Sequence, residues 1–334
     1  MEYQQFVSEI ATKINERLQE VDGNAQATII NTERNNDSMV ESIVIRGSGE
    51  APAPAFKISG LYEEYQNEHS LEQIAADMVE TYLTVDRDIP VTAEELKHYE
   101  QIKESLVLQL VNKDFNVERL KSIPHQDIEH TDLTAMLRVQ WDSQYSTVVD
   151  SELMDIWGID SETVFKDAIE RSILREPALI APMNEVMLSM MMGIETKPET
   201  KAISDVSIQP GELYVLSNQS MQYGASVLLY PEVLNQLAAN SNANIVILPS
   251  STHEVLLLMD DGEKDISQLQ QMVTSINKDC VEPEEVLSNG VYYYDKEEHK
   301  LSLVSTREHT ADLNSQRFET TVREDMETEE DLER

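Results

Sequence analysis

Positive charge is scarce in this chain. Its 334 residues carry 25 Lys and Arg against 63 Asp and Glu, a formal net charge of −38 at pH 7. A field of that sign repels phosphate backbones and anionic lipid headgroups, and no cluster of basic residues offsets it locally. Direct nucleic-acid binding and membrane attachment are therefore not expected, and a basic protein is the partner that the field favours. Cysteine is nearly absent as well. Cys280 stands alone, which leaves no partner for an intrachain disulfide or a thiolate zinc centre and fits a reducing cytoplasm. No apolar stretch approaches the roughly 18–20 residues of a spanning helix. The longest apolar run, Val255 to Met259, reads as a buried strand. The opening MEYQQFVSEIATKINERLQEV lacks the basic-then-apolar order of a secretory signal. Glycine is sparse, with ten in all, and neither G-x-x-x-x-G-K-[ST] nor G-x-G-x-x-G occurs. No backbone cradle for nucleotide phosphates, and hence no cofactor, is expected.

What is present suffices for a core, because 40% of the residues are hydrophobic. Helical and strand periodicities alternate without a repeat, so the expected class is α+β, with mixed helices and antiparallel hairpins in two subdomains. Phe6, Ile10, Ile14, Leu18 and Val21 recur at helical spacing before Gly23. Ala27–Thr32 and Met39–Arg46 form a predicted hairpin about Asn35-Asn36-Asp37, followed by a GSGEAPAPA loop at 47–55. Ser70 with Gln73 and Thr92 with Glu95 mark two helix starts. The second helix is expected to carry its stripe through Leu96, Tyr99, Ile102, Leu106 and Leu110. Leu133–Trp141 and Tyr145–Val149 read as a hairpin turning at 142–144, with helices after Ser151 and Ser161 as caps. The run Met183–Met192 holds five of the 14 methionines, and residues 195–211 read as a linker or surface loop. Strands at Leu213–Ser217, Ile245–Leu248 and Glu254–Met259 alternate with helices near 231–239 and 266–276. A last hairpin joins Val291–Tyr294 to Leu301–Val304. The expected divisions are 1–125, 126–304 and a disordered acidic tail at 305–334.

Two clusters invite chemistry. LPSSTHE places Ser250, Ser251, His253 and Glu254 on one turn between two apolar strands, the residue types of a nucleophile, a base and an orienting acid. Neighbours on a single turn rarely align in those roles, however, and there is no G-x-S-x-G elbow. A turn whose hydroxyls satisfy backbone groups is the competing reading. His125, Asp127 and His130 in PHQDIEH could ligate a divalent ion weakly, against a plain solvated loop. None of the seven histidines forms H-x-x-x-H or H-E-x-x-H. Tyr292, Tyr293 and Tyr294 are expected to pack a sheet rather than stack bases. Methionine stripes at helical spacing usually fill core gaps, and the alternative is an adaptable binding surface.

Seven collinear segments together carry a resemblance. They are LYEEYQNEHSLEQI (61–74), YEQIKESLVLQLVN (99–112), SIPHQDI (122–128), ELMDIWGID (152–160), YVLSNQSMQYGASVLLYP (214–231), NIVILPSSTHEVLLL (244–258) and PEEVLSNGVYYYD (283–295). The chain resembles an uncharacterised family, a domain of unknown function common in gut Gram-positive bacteria and their mobile elements. Its C-terminal third is also similar to a wider uncharacterised bacterial family with an L-P-S-S-x-H-E turn. The resemblance implies a recurring fold and an accessory role in a mobile element, and it implies no reaction. The leading expectation is a cytoplasmic, non-enzymatic accessory or binding protein. One alternative is an acidic nucleic-acid mimic that inhibits a defence or DNA-processing enzyme, with carboxylates at about one per 1.7 Å along a face. The other is a hydrolase using the PSSTHE turn.

Overall fold

In a computed structural model, the structure describes residues 1–47, 55–84, 92–141, 146–191 and 203–304. The predicted loop at 47–55, the turn at 142–144, the first half of the 195–211 linker and the acidic tail fall wholly or largely outside these residues. The fold is α+β, built from helices and antiparallel sheets. The chain divides into two compact units, residues 1–96 and 97–334. A cut after residue 125, as expected from sequence, would instead pass through a strand of the second unit.

The first unit grows from the amphipathic pattern of α1 (Tyr3–Val21). Its Phe6, Ile10, Ile14 and Leu18 are fully buried. They pack against a three-stranded sheet, β1 (Gln26–Glu33), β2 (Met39–Arg46) and β3 (Ala55–Lys57), and against α2 (Ile58–Gln66) and α3 (Leu71–Thr84). Asn15 is half-buried on α1 beside this apolar stripe. Its Nδ2 donates to the Ala27 carbonyl at 3.0 Å and its Oδ1 accepts the Ala27 N–H at 2.9 Å. The side chain thus stands in for a neighbouring strand and fixes the helix to β1. Both predicted helix starts are present. Gln73 N–H donates to Ser70 Oγ. Thr92 and Glu95 form a reciprocal capping box at the start of α4 (Ala93–Leu96).

The long helix expected beyond Thr92 does not form. α4 stops at Leu96, α5 (Tyr99–Ile102) is a single turn, and Leu106–Asn112 is β4, buried at every position. The spacing of Leu96, Tyr99, Ile102, Leu106 and Leu110 mimics a helical stripe. The contiguous LVLQLV is nevertheless a strand covered on both faces, where tertiary burial outweighs periodicity.

β4 pairs with β6 (Leu133–Gln140). The other side of β6 carries β5 (His125–Asp127) and β7 (Ser146–Val148) in succession. α6 (Ser151–Trp157) ends at Gly158, whose φ of +63° is the left-handed geometry of a helix stop. The caps of α6 and of α7 (Ser161–Arg175) fall one residue earlier than expected. Asp150 and Asp160 accept the Leu153 and Thr163 N–H groups at 2.8 and 2.9 Å, whereas Ser151 donates to the Ser122 carbonyl. The Thr163 hydroxyl and N–H together hold the Asp160 carboxyl below its usual range. That cap is therefore in place at neutral pH and is lost as pH falls through the lowered value.

The rest of the unit is a six-stranded antiparallel sheet. Its elements are β8 (Ala178–Pro182), α8 (Met183–Met191), β9 (Leu213–Asn218), α9 (Val233–Ser241), β10 (Ile245–Pro249), β11 (Val255–Met259), α10 (Ile266–Cys280), β12 (Val291–Asp295) and β13 (Lys300–Val304). The strand order is β13-β12-β10-β11-β9-β8. On one face Val186 of α8 and Val273 of α10 join Val246, Leu248, Leu256 and Tyr293 in a common core. On the opposite face Tyr292 reaches Asp132. That carboxylate accepts from Tyr292 Oη at 2.5 Å, Asn112 Nδ2 at 2.7 Å and Ser288 Oγ at 2.9 Å. Burial, and then the Asp132 charge, hold the Tyr292 phenol protonated far above its usual range. The three tyrosines pack the sheet as expected, all buried.

Among the described residues no helix is long and apolar enough to cross a membrane. Leu137 on β6 is fully buried. Leu137→Ala should lower the unfolding free energy by about 2–5 kcal/mol through lost burial and a residual cavity, measured by urea denaturation.

Candidate functional site

The PSSTHE turn lies where two chain segments cross. The first is the β10–β11 connection, Ser250–Glu254. The second is Gln219–Tyr223, which leaves β9 and enters a 3-10 turn at Gly224–Leu229. The second segment is contorted, since Met221 and Tyr223 have φ of +59° and +53°, values that cost a non-glycine residue free energy unless the surroundings impose them. The crossing imposes them. Tyr223 N–H donates to His253 Nδ1 at 3.2 Å, Ala225 N–H to the Thr252 carbonyl at 3.3 Å, and Ser217 Oγ to the His253 carbonyl at 2.7 Å. Gly224 sits at the closest approach, where a Cβ would collide with Ser217 Oγ and the His253 carbonyl.

His253 is bonded across this crossing, and Ser251 and Glu254 are bonded within the turn itself. Ser251, buried, donates to Glu254 Oε1 at 2.9 Å and accepts the His253 N–H at 3.0 Å. Thr252 N–H donates to the Glu285 carbonyl at 2.8 Å. Because His253 Nδ1 accepts a backbone proton, the neutral ring carries its own proton on Nε2, which points to Glu285 Oε1 at 3.5 Å. The lone pair that a general base would use is thereby occupied, and no hydrogen bond among the described residues joins the imidazole to Ser250 or Ser251. Tyr223 stacks on His253 with centroids 5.8 Å apart. The Arg138 guanidinium lies 5.0 Å from the Tyr223 ring centre and is bonded to Gln109 and Ser146. The arrangement can hold a rigid, half-exposed polar surface in place.

The other candidate cluster is dispersed. His125 bonds the Ile123 carbonyl through Nδ1, Asp127 faces Lys113 Nζ at 3.5 Å, and His130 sits on a tight turn at φ +61°. Among the described residues no three His, Cys, Asp or Glu side chains gather as metal ligands. Sequence reasoning found His253 but missed Tyr223, Gly224, Arg138 and Glu285. The available signal was that the segments containing Tyr223, His253 and Glu285 belong to the same resemblance.

A family model described as "Family of unknown function (DUF5688)" matches residues 3–296. The chain belongs to this family. The match spans both compact units and the whole crossing. No curated protein and no solved structure matches the chain.

Substitutions can separate support from catalysis here. Ser251→Ala should cost about 1–3 kcal/mol of stability, because it leaves the His253 N–H without its acceptor. Gly224→Ala should cost about 1–3 kcal/mol through overpacking. Ser250→Ala should be close to neutral in the same thermal or urea unfolding measurement.

Proposed function

We propose that this member of the DUF5688 family is a non-enzymatic binding protein whose partner is a basic protein. One observation carries the reading: His253 is spent, through its ring and its carbonyl, on holding two chain segments together, and Ser251 is bonded to Glu254 and the His253 N–H within its own turn. The charge of −38 supports the sign of the partner, since such a field speeds encounter with cationic surfaces and disfavours polyanions. The single, exposed Cys280 supports a reducing, cytoplasmic setting. The resemblance to proteins of gut bacteria and their mobile elements, and of the C-terminal third to a wider family sharing the L-P-S-S-x-H-E turn, supports an accessory role within such an element.

Two measurements test the proposal. The purified protein, offered ester, phosphoester and peptide substrates, should show no turnover that depends on Ser250 or His253. Activity abolished by Ser250→Ala or His253→Ala would establish the hydrolase instead. Affinity capture from the native host at low salt should recover basic proteins that are released as salt rises. Recovery of DNA-processing enzymes specifically would establish the nucleic-acid mimic.

A further inference from the structure

Asn289 and Gly290 form the one Asn–Gly pair in the sequence. An asparagine side chain and the backbone nitrogen of the next residue are one bond short of a five-membered ring. Closing that ring needs a nitrogen that can lose its proton, a polarised side-chain carbonyl, and no Cβ on the following residue to block the approach. All three are met on the segment that enters β12.

The nitrogen is already engaged by an acceptor. Gly290 N–H donates to Ser288 Oγ at 3.0 Å. Ser288 is fully buried, and its hydroxyl donates in turn to Asp132 Oδ2 at 2.9 Å. The hydroxyl proton is thus committed to the carboxylate, and an oxygen lone pair faces the Gly290 proton. In a chain of this kind, from amide to hydroxyl to carboxylate, each bond polarises the next. The amide proton is drawn away from its nitrogen.

The carbonyl is held from α10. Asn277, buried, donates through Nδ2 to the Ser288 carbonyl at 2.8 Å and to Asn289 Oδ1 at 3.1 Å. The Ser288 carbonyl can only accept, which fixes the Asn277 amino group on this side, so the Asn289 oxygen rather than its nitrogen meets it. A donor fixed on that oxygen is placed for the negative charge that develops there as the nitrogen adds. Gly290 offers no Cβ to hinder the approach, and one would collide with Leu303 Cδ1. Asn289 and Gly290 are half-buried rather than sealed, which leaves water a path to the pair.

We propose that Asn289–Gly290 is a self-modification site, at which the folded chain converts its own asparagine to aspartate or isoaspartate. The Gly290 nitrogen bonds to Asn289 Cγ as its proton passes to Ser288 Oγ and the Ser288 proton to Asp132. The Cγ–Nδ2 bond then breaks, and Nδ2 leaves as ammonia, one proton richer, which balances the proton lost by Gly290. Water adds to either carbonyl of the resulting succinimide. One opening leaves aspartate in a normal main chain, and the other routes the main chain through the side chain as isoaspartate. Water is the only co-reactant. Residue 289 lies between Ser288 and Tyr292, both of which donate to Asp132. An isoaspartate lengthens the span between these two donors and so acts on the tie at that carboxylate.

The purified full chain is aged in neutral buffer, and the peptide containing residue 289 is followed by mass spectrometry for the gain of about 1 Da that amide-to-acid exchange brings. Folded protein should convert Asn289 about tenfold faster than the same chain held unfolded in guanidinium. Hydroxylamine added to the folded chain should trap the succinimide by cutting between residues 289 and 290. Ser288→Ala, with an unchanged circular dichroism spectrum, should slow the folded-state rate about tenfold. Conversion in the folded chain that is equal to or slower than in the unfolded chain would overturn the proposal, because the dipeptide alone would then account for it. A Ser288→Ala variant that keeps the wild-type rate would overturn it too. Should that variant not fold, the comparison of folded with unfolded wild type decides by itself.

Discussion

The second unit depends on the close crossing of two backbone segments at Gly224. The chain leaving β9 can pass beneath the β10–β11 turn only because residue 224 has no side chain. Once there, it exchanges hydrogen bonds with Thr252 and with both the ring and the carbonyl of His253. Polar groups brought together away from bulk water must be satisfied, and these satisfy one another. The positive φ of Met221 and Tyr223 is the conformational cost of bringing the chain into that position. A histidine used in this way is chosen for geometry: one ring nitrogen accepts a backbone proton while the other faces an acid.

A second polar node does comparable work across the sheet. Asp132 accepts hydrogen bonds from a β4 amide, a β12 phenol and the Ser288 hydroxyl, so the four-stranded and six-stranded sheets are tied at one carboxylate. The Leu303 N–H donating to the His130 carbonyl adds a backbone tie close by. These ties explain why residues in the PHQDIEH segment look functional in sequence. The segment is held by its own backbone and by Lys113, and its neighbour Asp132 is the group with three partners.

Much of the architecture was legible in the sequence because each local signal agreed with the tertiary environment. The hairpins at 26–46, 245–259 and 291–304 have turn residues between clear strand patterns, and Ser70 and Thr92 cap as their spacing implies. Legibility failed where two signals competed. Leu106 and Leu110 fit a helical stripe, but burial on both faces makes Leu106–Asn112 a strand. Asp150 and Asp160 outcompete the serines that follow them, because a carboxylate near a helix N-terminus gains from the dipole as well as from the hydrogen bond. The pairing of His253 with its partners was not legible from spacing: Tyr223 and Glu285 lie 30 and 32 positions away, Arg138 on the far side of the Tyr223 ring lies 115 away, and only the folded sheet brings them together.

Acidity and apolar exposure answer different physical demands, which is why one surface can carry both. Carboxylates act at long range, raising the encounter rate with a cationic partner and weakening as salt screens them. They contribute little to how long a complex persists, because rim charges stay hydrated. Persistence comes from apolar side chains that leave water on contact. In the proposed binding role, the acidic field sets which partner approaches, and exposed apolar side chains such as Met187, Met191, Met272 and Ile276 would set how long it stays. A surface that needed only solubility would gain from the carboxylates and lose from the methionines. The proposed binding role accounts for a chain that carries both.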